Sequence, residues 1–190
     1  MEADWEFEVG GDAPVIEAIW PGFVDLQRAP EAVWELPEAA QLLALAEALI
    51  KLNSPVSPIW TSKCDFWPEL EATDFEPVEL DAPASATMAM GCFIDLLPRN
   101  DQQWPFPANA AAACKRLCGL LHTIPLRCCR IDLVIRRAFI RRIPLKPELI
   151  DLGITAYLTA CGVNAREAAG TLQAALAAFT DALCLHSTVE

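Results

Sequence analysis

Phe23-Val-Asp-Leu-Gln-Arg-Ala-Pro-Glu-Ala-Val-Trp-Glu-Leu-Pro37 and, 70 residues further on, Phe93-Ile-Asp-Leu-Leu-Pro-Arg-Asn-Asp-Gln-Gln-Trp-Pro-Phe-Pro107 superpose without a gap. Continued to Pro55 and Pro125, the match sets Phe23 on Phe93, Asp25 on Asp95, Leu26 on Leu96, Trp34 on Trp104, Pro37 on Pro107 and Ala40 on Ala110. With the closing prolines that makes seven identities in 33 positions, and Val24 with Ile94 and Ile50 with Leu120 are conservative. Self-similarity at a fixed period marks a repeated supersecondary unit.

Each copy reads as strand, Trp-bearing loop, Pro-initiated helix, strand. Two in tandem, about 15–66 and 87–140, make βαββαβ, the split βαβ or ferredoxin-like plan. The expected fold is α+β, with three helices on one face of an antiparallel or mixed sheet of five or six strands. One domain is expected to span 1–190, with an extra strand and helix at 154–184.

Working outward, residues 4–9 alternate as a short strand, and 15–26 read as a second, broken at Pro21-Gly22. Residues 37–52 form an apolar stripe of Leu42, Leu45, Ala46, Leu49 and Ile50, with Pro37 suited to the first helical turn. Strands are expected at 58–66, 87–97, 129–140 and 154–161, and further helices at 107–122 and 165–184. In 129–140, Ile131, Leu133 and Ile135 alternate with Arg130, Asp132 and Arg136. Asn164 followed by Glu167 predicts a capped helix start, with Ala168, Leu172, Ala175, Leu176, Phe179 and Leu183 on its buried side. Between them, Pro68–Ala86 holds six acids, three prolines and no base, and reads as an acidic linker.

The chain is 54% hydrophobic, with mean hydropathy +0.28, which excludes global disorder and leaves apolar surface for a partner. A homodimer is therefore expected. The net charge of -12 argues against nucleic acid as partner. Each long apolar stretch is broken by charge, so no membrane contact is expected, and the amino terminus lacks a basic-then-apolar leader, which points to the cytoplasm. Eight cysteines, most in apolar segments, read as core thiols. Cys114, Cys118 and His122 follow helical spacing, but the outer two stand about 12 Å apart along the axis, too far to share one ion. No metal and no cofactor is expected.

Charge is unevenly placed. Up to Asp101 the chain carries 20 acids and 4 bases; beyond it, 6 acids and 10 bases. Seven bases lie between Arg127 and Lys146. Three readings compete: an edge strand guarded by charge, a seat for a small anionic ligand, and a surface latched by the acidic 69–81 loop. The candidate ligand-binding residues are Arg99, Arg130, Arg136, Lys63, Trp34 and Trp104, the tryptophans supplying aromatic walls. Asp25 and Asp95 resemble a carboxylate pair, but a pseudo-twofold places them at opposite ends of the sheet, each tying down a Trp loop through backbone N–H groups. Cys64, beside Lys63, is a thiol whose pKa a neighbouring cation could lower. The favoured function is a non-enzymatic binding or interaction module; the alternative is a small enzyme or sensor taking an anionic metabolite on the Arg-rich strand.

Overall fold

A computed structural model describes residues 1–8, 10–70, 75–99, 110–143 and 146–185. It is α+β, with six strands in one mixed sheet. The strands are β1 (Glu2–Phe7), β2 (Val15–Ala18), β3 (Ile59–Trp67), β4 (Met88–Pro98), β5 (Cys129–Ile143) and β6 (Lys146–Gly162). The helices are α1 (Pro37–Gln41), α2 (Leu43–Asn53), α3 (Ala110–Leu121) and α4 (Ala165–Leu185), with 3-10 turns at Pro30–Glu35 and Pro77–Leu80. The helix expected over 37–52 is divided at Leu42, whose backbone is extended (φ -130°, ψ 98°).

The strand order is β1-β5-β6-β4-β3. β1 and β2 both run parallel to β5, one after the other along the same edge: Glu2–Phe7 lie beside Arg130–Ile135 and Val15–Ala18 beside Arg137–Ile140. The arginine-rich strand is therefore flanked on both sides and is not the guarded edge its charges suggested. The remaining pairs are antiparallel.

In a split βαβ sheet formed by the 15–66 and 87–140 units, β2 would sit beside β4 at the centre. Here β6 holds that place, and β2 lies beyond β5. The second strand also ends at Ala18, so Phe23, Asp25 and Leu26 lie in a turn segment while their counterparts Phe93, Asp95 and Leu96 lie within β4. What recurs along the chain is helix, strand, strand: α2-β3-β4, then α3-β5-β6, then α4 alone.

One face of the sheet packs against α2, α3 and α4. Ile131, Leu133 and Ile135 of β5, Ile154, Ala156 and Leu158 of β6, and Cys92, Ile94 and Leu96 of β4 meet Leu45, Leu49, Leu117, Leu172, Leu176 and Phe179 in one buried cluster. The start of α4 closes as the sequence predicts: Glu167 N–H donates to Asn164 Oδ1 at 3.0 Å, and Val163 N–H donates to Glu167 Oε2 at 3.0 Å.

Among the described residues the opposite face carries no α-helix, and it is concave. At one end Ile16, Ala18, Trp60, Leu97, Ala138 and Ile140 form a small cluster that joins strands from both edges of the sheet. The Ser62 hydroxyl of β3 donates to the Glu17 carbonyl of β2, although these strands pair with different partners. Gly153 permits this curl, since a Cβ there would lie 2.6 Å from Ile16 Cδ1 and 3.3 Å from Ala138 Cβ. At the other end Leu80, Ala86, Ala89 and Cys161 cluster beneath the acidic segment. Asp81 of that segment receives both Arg127 Nε–H (2.7 Å) and Nη2–H (3.1 Å), so an acid of the predicted linker does grip a base of the second half.

Candidate functional site

Between the two apolar ends of the concave face lies a polar waist. Asp95 of β4 stands opposite Thr155 of β6 in register, and two-residue alternation puts Tyr157 next along β6 on the same face. Arg136 of β5 reaches across to them. Its Nη1 donates to Thr155 Oγ1 at 3.0 Å and to Tyr157 Oη at 2.9 Å, and its Nε donates to Glu8 Oε2 at 2.5 Å. Thr155 in turn donates to Asp95 Oδ1 at 2.6 Å.

The waist is dry. Asp95 is 6% exposed and the Arg136 side chain 13%. Burial raises the pKa of the Asp95 carboxyl, while the Thr155 hydrogen bond and the charges of Arg136 and Lys63 pull it down without reversing the shift. Burial also works against the charge of Arg136, but its hydrogen bonds to Glu8 and Tyr157 prevail and keep it more basic than usual.

An aromatic wall adjoins the guanidinium. Arg136 lies over the Tyr157 ring at 5.4 Å, Tyr157 stacks on Trp67 at 6.4 Å with 9° between planes, and Phe93 contacts both at 5.8 Å. Such a surface offers one cation, a fork of N–H donors and a flat apolar platform side by side. Among the described residues Nη2 of Arg136 makes no hydrogen bond, so the Nε/Nη2 edge holds Glu8 by a single oxygen.

The six residues singled out in the sequence have different fates. Arg136 is at the centre of the waist. Lys63 flanks it, close enough to Asp95 to bear on its charge, and lies over the Trp20 ring at 5.5 Å. Arg130 is engaged with Asp132, Nε donating to both oxygens at 2.8 and 3.0 Å. It lines a cavity of about 270 Å³ beside Asp4, Glu6, Glu76 and Glu79, acidic surroundings that do not suit an anion.

Arg99 closes the C-terminal end of α2: Nε donates to Ser57 O at 2.8 Å, Nη2 to Asn53 O at 3.1 Å and Ser54 O at 2.8 Å, and Nη1 to Gln27 Oε1 at 2.7 Å. Those orphan carbonyls account for its position. Trp34 sits in the 3-10 turn at Pro30–Glu35, 54% exposed. Trp104 lies outside the described residues.

Other expectations are revised. Asp25 does tie down a turn, accepting from Gln27 N–H at 3.1 Å. Asp95 accepts from the Thr155 hydroxyl, and the second Trp loop, at 100–109, lies outside the described residues. Cys64 is not activated by Lys63, because burial pushes its thiol up to about 12. Cys114 and Cys118 are buried in the main core, and His122 Nε2 accepts the Ala3 N–H at 3.3 Å.

The sequence reading missed Glu8, Thr155, Tyr157, Trp67 and Phe93 as site residues. A signal was present in 154–161, where Thr155, Tyr157 and Thr159 alternate with Ile154, Ala156 and Leu158: polar side chains on a strand that lies centrally in the sheet. Comparison with protein-family models, with curated proteins and with solved structures returned no match for this chain.

Proposed function

We propose that this protein is a non-enzymatic binding module whose concave sheet face seats a small amphipathic anion, a carboxylate carried on a planar apolar body. The observation that carries this is Arg136: a guanidinium held by Thr155 and Tyr157, with one fork edge that among the described residues binds a single oxygen, next to a stacked aromatic platform. The ligand carboxylate takes Nε and Nη2 in place of Glu8, and its apolar part lies against Trp67 and Phe93. In this reading Glu8 holds the seat when it is empty. Duplication is proposed alongside as the origin of the two helix-strand-strand units.

A thermal-shift panel of benzoate, indole-3-acetate, acetate and phosphate tests it. Aromatic carboxylates should stabilise the protein in a saturable way, acetate weakly, and the Arg136→Gln variant should show no shift. Absence of any carboxylate effect, or an equal effect in Arg136→Gln, contradicts the proposal.

Self-association as a homodimer is proposed alongside it, supported by Trp34, Leu43 and Ile50, which are 54%, 59% and 37% exposed along one stretch of the chain. Light scattering should give a mass that rises with concentration to twice the chain mass; a constant monomer mass contradicts it. A cytoplasmic location is proposed from eight cysteines none of which is paired in a disulfide.

A further inference from the structure

We propose that Cys128 and Cys161 form an oxidisable dithiol, a modification site beneath the acidic 75–86 segment. This inference is independent of the ligand seat. β5 and β6 are paired so that Cys129 stands beside Ala160, which sets Cys128 opposite Cys161 one step further out. The Cys161 N–H donates to the Cys128 carbonyl at 2.9 Å, one backbone hydrogen bond joining the two residues across the strands. Residues standing opposite one another on antiparallel strands have Cα atoms about 4.5–5.5 Å apart, inside the span a disulfide bridges without backbone movement, about 4.4–6.8 Å.

The side chains agree with the backbone. Cys161 belongs to the small cluster with Leu80 and Ala89, Cys128 packs against that cluster, and the Cys128 thiol lies near enough to help raise the Cys161 pKa. Cys129, one residue along, points instead into the main core. Cys128 is half-buried and Cys161 fully buried. Cys128 also carries a left-handed backbone, φ 62°, a conformation that non-glycine residues adopt seldom.

The chemistry needs a hydroperoxide as oxidant. The Cys128 sulfur, the accessible one, attacks a peroxide oxygen and becomes a sulfenic acid, while its proton leaves with the other oxygen as water or alcohol. The Cys161 sulfur then attacks Cys128 sulfur; the S–O bond breaks and the oxygen departs as water carrying the Cys161 proton. Two thiols and one hydroperoxide thus give one disulfide, water and the reduced peroxide.

Folded full-length protein treated with hydrogen peroxide, alkylated and digested without reductant reads the outcome. The expected product is a Cys128–Cys161 cross-linked peptide in the natural chain and in Cys129→Ser, absent in Cys128→Ser, and reversed by dithiothreitol. Should Cys128→Ser fail to fold, the cross-link in Cys129→Ser alone assigns the pair. A disulfide lost in Cys129→Ser, a bond between other cysteines, or Cys128 trapped by dimedone as sulfenic acid while Cys161 stays alkylatable overturns the proposal, as does an absence of oxidation.

Discussion

Thr155 and Asp95 stand opposite one another on β6 and β4, and the Thr155 hydroxyl donates to Asp95 Oδ1 at 2.6 Å while accepting from Arg136 Nη1 at 3.0 Å. One hydroxyl thus uses both of its capacities to couple a buried carboxylate to a nearly buried guanidinium. Replacing it by an isosteric methyl leaves both groups short of a partner in a buried site. Thr155→Val is expected to lower stability by about 1–3 kcal/mol in urea unfolding. Thr87→Val, at an exposed position just before β4, should change it by less than about 0.5 kcal/mol.

Asp95 makes stability depend on pH. Because burial raises its pKa in the folded state, the folded chain keeps this proton to higher pH than the unfolded chain does. Its contribution therefore becomes unfavourable as pH rises from the ordinary carboxylate range through the raised value, and stays so above it. Asp95→Asn should be more stable than the natural chain at pH 7, by roughly 1 kcal/mol, and the advantage should vanish in acid. A less stable Asp95→Asn at pH 7 would show that Arg136 and Lys63 outweigh burial.

Glu8 competes for the fork of Arg136. Its carboxylate is 34% exposed, a half-open ion pair of modest strength. Glu8→Gln is expected to tighten benzoate binding by no more than about fivefold, the equivalent of roughly 1 kcal/mol, measured by calorimetric titration. Weaker binding in Glu8→Gln would place Glu8 among the residues that hold the ligand.

Gly153 sets the curvature of the concave face. An added methyl would meet Ile16 Cδ1 at 2.6 Å, Leu97 Cδ2 at 3.2 Å and Ala138 Cβ at 3.3 Å. The first two are side-chain tips that can shift, but the third is fixed to the backbone of β5. Gly153→Ala should cost about 1–3 kcal/mol, the usual penalty for overpacking, with Gly119→Ala on the open side of α3 as a control that costs nothing.

Much of the local structure was legible, because it rests on short-range periodicity. Ile131, Leu133 and Ile135 are buried as their alternation demands, and Asn164 with Glu167 builds the helix cap their spacing announced. The sheet order was not legible. β6 takes the central position through its register with β4, which no window of sequence encodes, and its first half carries Pro147, Glu148 and Asp151, which break the alternation. Arg99 was misread for the same reason: the carbonyls it serves belong to Asn53, Ser54 and Ser57, more than 40 residues away. Arg136 was found from composition, but Glu8, Thr155 and Tyr157 join it only through the pairing of β5 with β6 and β1.

The most direct test of the ligand seat is an NMR titration of the protein with indole-3-acetate, following the Arg136 Nε–H and Trp67 indole N–H resonances. Both should move together along one saturable curve, and the Arg136→Gln variant should leave the Trp67 signal in place. Saturable binding that leaves these two resonances unmoved, or no binding at millimolar ligand, would contradict it.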